Sequence, residues 1–78
     1  MPRYYFNVYD DAVTEDEEGR ELPDLAAVRR AAIEGARSLI ADQVLKGRLC
    51  LRCRIEVEDE NRCPVLTLPF TAALEVVT

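Results

Sequence analysis

The chain contains no histidine. That absence excludes Ser-His-Asp and Cys-His catalysis. It also removes the commonest metal ligand and the side chain best suited to proton transfer near neutral pH. No apolar run approaches the roughly 18 residues of a membrane span, so no membrane partner is expected. The opening Met1–Asn7, Met-Pro-Arg-Tyr-Tyr-Phe-Asn, lacks the basic region and apolar stretch of a signal peptide, and a cytoplasmic location is expected. Internal repeats and low-complexity tracts are also missing. The 78 residues predict one domain, 1–78. A domain this small buries only about 60% of its unfolded surface. Such domains usually add a disulfide, a metal or a partner subunit.

What is present is the composition of a folded protein, 49% hydrophobic and 32% charged. The formal charge of −5 is unevenly spread. Met1–Asp24 carries a net −6, Leu25–Arg54 a net +5 and Ile55–Thr78 a net −4. A basic middle segment has the footprint of a site for an anionic partner. The bland alternative is internal neutralisation, with the acidic loop lying near the helix arginines. The overall negative charge repels nucleic acid at long range, which disfavours it as the partner.

Arg3 to Tyr9 predicts a strand with Tyr4, Phe6 and Val8 on its core face. Asp10 to Glu21 is an acidic connection, with a short strand expected at about Arg20 to Leu22. Leu25 to about Lys46 predicts one long amphipathic helix. Its apolar stripe is Leu25, Val28, Ala32, Ile33, Ala36, Leu39 and Ile40, with Arg29 and Gln43 intruding. Asp24 is the expected N-cap and Gly47 the left-handed C-terminal residue. Leu51 to Glu58 and Cys63 to Phe70 predict an antiparallel hairpin. Closing it with Asp59 opposite Arg62 pairs Val57 with Pro64, Ile55 with Leu66, Cys53 with Leu68 and Leu51 with Phe70, all apolar and on one face. A one-residue slip would reverse that sorting. Glu60-Asn61 is not a favoured two-residue turn, and a four-residue loop fits as well. Thr71 to Thr78, with Ala72, Leu74 and Val76 alternating, suits a strand or a helical turn.

The candidate sites follow from these elements. Cys50-Leu51-Arg52-Cys53 has C-x-x-C spacing, with Cys63 ten residues on. Zinc wants four ligands. In a continuous strand Cys50 and Cys53 face opposite sides, and Cys63 lies roughly 25 Å along at about 3.4 Å per residue. Three cysteines so placed share no metal. A thioredoxin-like motif sits at a helix N-terminus, which this one does not. The cysteines are therefore expected as apolar filler, three free thiols suited to a reducing compartment. The acidic loop lacks the EF-hand pattern, because the third and fifth positions from Asp10 are Ala12 and Thr14. No cofactor is expected. Gly35, beside Ala27, Ala31 and Ser38, marks a small-residue flank that suits a dimer contact or close packing on the protein's own sheet. A sheet with one helix on one face leaves the other face open, carrying Tyr5, Tyr9, Val65 and Thr67 interleaved with Arg54 and Glu56. Tyrosines beside arginine stack on single-stranded nucleic acid, but the RNA-binding signature is absent. A mixed aromatic and charged face serves a protein interface equally well.

Two stretches carry a family resemblance: Met1 to Phe6, and Asp16-Glu17-Glu18-Gly19-Arg20-Glu21-Leu22-Pro23-Asp24-Leu25 before an Ala- and Arg-rich helix. Ile55-Glu56-Val57 and Leu68-Pro69-Phe70 agree more loosely. Over essentially its whole length the chain resembles a family of short bacterial proteins described as a domain of unknown function. The resemblance implies no activity. It implies that Cys50, Cys53 and Cys63 are incidental, because members generally lack them. The acidic Pro-Asp-Leu segment before an alanine-rich helix is also similar to small antitoxins, which would imply a toxin partner.

The expected fold is α+β, a three- to four-stranded sheet with one long helix packed on one face. The expected role is a non-enzymatic interaction or regulatory module, a homodimer with an unidentified further protein partner. Its candidate interface is Tyr5, Tyr9, Gly35, Arg54, Val65 and Thr67. The alternative is nucleic-acid binding through Arg30, Arg37, Arg48, Arg52 and Arg54.

Overall fold

Alternating aromatic and β-branched residues extend Arg3–Tyr9 into strand β1, the longest strand of the sheet. In the computed structural model, which describes residues 1–75 and residue 77, the chain then forms β2 (Val13–Thr14) and β3 (Arg20–Glu21). Helix α1 (Leu25–Leu45), β4 (Arg54–Glu58), β5 (Pro64–Pro69) and a 3-10 turn at Phe70–Ala73 follow. The expected α+β fold is the one observed. All strand pairs are antiparallel, in the order β2-β1-β4-β5, with β3 pairing with β1 as a fifth strand. The two-residue β2 is the strand that sequence periodicity does not reveal.

β2 pairs with Val8 and Tyr9, and β3 pairs with Arg3 and Tyr4. The chain therefore enters α1 at the Arg3 end of β1. A 21-residue helix spans about 31 Å at 1.5 Å per residue. That length returns the chain to the Tyr9 end, where Arg54 pairs with Tyr9 and β4 runs back antiparallel. The handedness rule for parallel crossovers has nothing to act on here.

Both helix ends are capped as expected. The Asp24 carboxylate accepts the Ala27 N–H at 2.8 Å. At the C-terminus the Gly47 N–H donates to the Val44 carbonyl at 2.9 Å and the Arg48 N–H to the Gln43 carbonyl at 3.0 Å. This is the Schellman pattern, and Gly47 adopts the φ of 80° that it requires. Val28, Ala32, Ala36 and Ile40 are buried against Cys53, Ile55, Val57, Leu68, Phe70, Ala73 and Tyr4. Ile33 and Leu39 are partly buried, but Leu25, expected in the apolar stripe, is exposed. Gln43 is no defect in the stripe: its Oε1 accepts the Cys50 N–H at 3.0 Å.

The hairpin register differs from the expected one in an instructive way. The loop is not closed by Asp59 opposite Arg62. The Asp59 N–H donates to the Cys63 carbonyl at 2.9 Å, and Asp59 Oδ1 accepts the Asn61 and Cys63 N–H groups. Arg62 takes a left-handed φ of 62°. The loop is thus one residue longer than expected, which alone would turn Leu66, Leu68 and Phe70 to the solvent face. A register shift beside Val57/Glu58 absorbs one more residue and restores the sorting. Val57 now pairs with Leu66 and Ile55 with Leu68, while the Phe70 N–H donates to the Cys53 carbonyl at 2.9 Å. The intended apolar face survives with different partners.

Two further expectations are corrected. Leu51 and Arg52 are not in a strand, and Leu51 is exposed. Cys50 and Cys53 are not free thiols on opposite faces. They form a disulfide with their Cα atoms 5.6 Å apart, which folds the segment into a tight loop and delays β4 to Arg54. Cys63 is free and exposed. At the C-terminus the described residues form the 3-10 turn, whose Ala73 carbonyl accepts from Arg37 Nε at 2.9 Å. Val76, the last member of the Ala72-Leu74-Val76 alternation, lies outside the described residues.

Candidate interaction surface

α1 covers one sheet face. Strand alternation places Tyr5, Asn7 and Tyr9 of β1 on the other, opposite Glu58, Glu56 and Arg54 of β4. These side chains form an array of two adjoining clusters. The Arg54 guanidinium lies over the Tyr9 ring, 4.3 Å from its centroid. Arg54 Nε also lies 3.5 Å from Glu56 Oε1, which accepts the Thr67 hydroxyl at 3.4 Å. The Arg62 guanidinium stacks on Tyr5 at 3.7 Å and pairs with Glu58 at 3.3 Å. Glu58 Oε1 in turn accepts Asn7 Nδ2 at 2.8 Å. Each arginine therefore has an aromatic face below it and a carboxylate beside it. The Tyr9 hydroxyl is shifted above its usual pKa, first by loss of solvent and then by Glu56 and Glu58, against an opposing pull from Arg54.

Asn7 is buried beneath this array, and both polar atoms of its amide are bonded. Its Oδ1 accepts the Asp16 N–H at 2.9 Å. Asp16 is the organising residue of the acidic connection. Its Oδ2 accepts the Phe6 N–H at 3.1 Å, and its Oδ1 accepts those of Glu18 at 3.1 Å and Gly19 at 3.0 Å. The carboxylate thus stands in for a ladder partner in the gap between β2 and β3. Partial burial raises its pKa, but the N–H groups of Gly19, Phe6 and Glu18 and the Arg62 charge outweigh that, holding it below the usual aspartate value. Gly19 closes this turn at a φ of 73°, where a Cβ would stand 2.9 Å from Arg3 Cγ and 3.0 Å from the Tyr4 carbonyl.

Of the candidate interface residues, Tyr5, Tyr9, Arg54 and Thr67 belong to the array. Val65 sits at the register shift and packs against the core. Gly35 is on the other side of the sheet, where a Cβ would lie 3.7 Å from Ile55 Cδ1, an ordinary contact with the protein's own core. Sequence reasoning placed Asn7 on this face and Asp16 in the acidic connection, but it did not find their bonding roles or that of Arg62. The spacing of Asp16 and Gly19 was the available signal, since a carboxylate three residues before a left-handed glycine is an Asx-turn pattern.

The arginines proposed for nucleic acid are spread over α1 (Arg30 and Arg37), the connection after it (Arg48 and Arg52) and β4 (Arg54). Arg48 is paired with Asp11 at 3.0 Å and Arg54 with Glu56. The tyrosine faces that would stack on bases are already covered by guanidinium groups. Among the described residues no group of three or more His, Cys, Asp or Glu side chains could hold a metal ion, and no helix is long and apolar enough to cross a membrane.

Residues 3–71 match the family model described as Domain of unknown function (DUF6894). The chain belongs to this family. The DUF6894 match runs from the first residue of β1 into the 3-10 turn, so it takes in the whole sheet and the tyrosine–arginine array. No curated protein and no solved structure matches the chain.

Proposed function

We propose that this protein is a cytoplasmic, non-enzymatic interaction module whose helix-free sheet face binds protein, in the first instance a second copy of itself. One observation carries the reading. The face is built of tyrosine and arginine, the residues that dominate binding energy at protein interfaces, held rigid by stacking and by glutamate partners. Because each charge is already matched, docking a partner leaves no buried charge unpaired. The same matching leaves little free positive charge on this face to attract phosphate.

Native mass spectrometry and sedimentation of the intact chain test the reading. The expected result is a dimer that becomes monomeric in the Tyr5→Ala/Tyr9→Ala variant. A wild-type monomer at high micromolar concentration would discard self-association. A different protein, such as the toxin partner of an antitoxin-like pair, would then have to protect the same face. Binding to single-stranded nucleic acid that weakens steeply with salt would reverse the preference for protein.

A further inference from the structure

The Cys50–Cys53 pair lies between the Schellman end of α1 and the first residue of β4, Arg54. Its two members are unlike. Cys53 is 1% exposed, packs in the core, and is held by the sheet through its carbonyl, which accepts the Phe70 N–H. Cys50 is partly exposed on the connecting loop, where only the Gln43 side chain fixes its N–H. A surface hollow of about 220 Å³ opens directly onto the disulfide, lined by Asp10, Asp11, Cys50, Arg52 and Cys53. Arg52, on the rim of the hollow, forms no ion pair among the described residues. The opposing carboxylates are engaged: Asp11 with Arg48 at 3.0 Å, and Asp10 as acceptor of the Ala12 N–H at 2.9 Å.

As a structural brace this bond has little to do. It closes a loop of four residues, and the chain entropy removed by a cross-link grows with loop length. Most of the apolar core comes from α1, β1, β4, β5 and the 3-10 turn, with Cys53 one member of it and Cys50 packed at its edge. Leu49 and Leu51 on either side of Cys50 are exposed, so few contacts hold the loop in one conformation. In a reducing compartment, disulfides are characteristically transient and serve exchange or sensing.

From this geometry we infer that Cys50–Cys53 is a thiol–disulfide exchange site for low-molecular-weight thiols, with Cys50 the solvent-reached sulfur and Cys53 the buried resolving one. In reduction, an external thiolate attacks Cys50 Sγ. The Cys50–Cys53 S–S bond breaks, a mixed disulfide forms on Cys50, and Cys53 leaves as a thiolate that takes a proton from solvent. A second external thiolate attacks the outer sulfur of the mixed disulfide and releases Cys50. Two external thiols are oxidised to one disulfide while the protein gains two electrons and two protons. Oxidation runs the same steps backward, with Cys53 attacking the mixed disulfide on Cys50. The site does not depend on the proposed sheet-face interface, and its test does not involve association.

Glutathione is the probe, used on the folded Cys63→Ser protein so that the exposed third thiol contributes nothing. The protein is equilibrated with reduced and oxidised glutathione, quenched with acid, alkylated and weighed. The expected result is a reversible transition between disulfide and doubly alkylated dithiol that follows the square of reduced glutathione over oxidised glutathione, while the far-UV spectrum stays that of the folded chain. Adding Cys53→Ser should trap one glutathione on Cys50. With Cys50→Ser instead, Cys53 should acquire it at least about tenfold more slowly, since access governs exchange. A pair that stays oxidised, or stays reduced, at every glutathione ratio would overturn the inference. So would Cys53 reacting as fast as Cys50 in a folded variant. If the serine variants do not fold, the Cys63→Ser equilibrium alone decides.

Discussion

The two faces of the sheet are built from the same strands on opposite principles. The inner face is held by shape: Val57, Leu68 and Phe70 are fully buried, and nothing directional fixes them except the residues they touch. The outer face is held by bonds between named groups, with Tyr9, Arg54, Glu56 and Thr67 in one chain of contacts and Tyr5, Arg62, Glu58 and Asn7 in another. Burial of apolar volume is strong and unspecific, whereas exposed ion pairs are specific and weak. The inner face therefore sets the fold. The outer face can exchange partners at small cost to stability, which suits a contact surface.

The largest effect that would break this contrast comes from register. Deleting Leu68 should abolish cooperative unfolding in circular dichroism: absorbing the loss at the bulge puts Thr67 against Ile55, keeping the bulge turns Phe70 to the outer face, and each buried side chain contributes about 1.5–3 kcal/mol. Deleting Val65 instead should leave a folded protein, because it removes the irregularity and keeps Val57 with Leu66 and Ile55 with Leu68. Equal damage from both deletions would show that the bulge does not carry the register. Next in size, Phe70→Ala should lower unfolding free energy by about 3–5 kcal/mol in urea titration, the usual cost of emptying a buried aromatic site.

Asp16 joins the two faces, because it bonds the backbone of β1 beneath the outer array, and Asp16→Asn should cost about 1–3 kcal/mol. Its folded-state pKa lies below the unfolded value, so the unfolded chain binds the extra proton and stability rises with pH through this group. The contribution is complete above about pH 4, the ordinary aspartate range, and is lost as pH falls through the lower folded-state pKa. Urea midpoints of wild type and Asp16→Asn should therefore converge as the pH falls below the ordinary aspartate range; parallel curves would remove Asp16 from this role. The smallest effect is expected on the outer face. A double-mutant cycle on Arg54→Ala and Glu56→Ala should give a coupling of about 0–1 kcal/mol in stability, since both side chains are partly exposed. The same substitutions should weaken the proposed self-association more than folding.

Much of this was legible along the chain. Asp24 and Gly47 mark the ends of α1 through chemistry confined to one turn, so local reading found both. The 3.6-residue and two-residue periods identified Val28, Ala32, Ala36 and Ile40 as inner residues of the helix and Ile55 and Val57 as inner residues of β4. The tyrosine face was legible by the same alternation, and Tyr5, Tyr9, Arg54 and Thr67 lie where it put them. Arg62 was hidden because it reaches Tyr5 from a loop, by way of a left-handed backbone that no periodicity announces. Val65 was misplaced because strict alternation does not anticipate a bulge.

The sequence by itself determined the order of β1, β3, α1, β4 and β5, the helix boundaries and which residues are apolar on each strand, because those depend on neighbours within four positions. Only the tertiary structure decided the hairpin pairs, the Cys50–Cys53 bond and the role of Asp16. Each of these depends on how far apart two segments stand in space. The loop at Asp59 and the bulge at Val65 change the register by one residue apiece, and their sum preserves the inner face. Local preference tolerates either change alone; the buried core accepts only the pair.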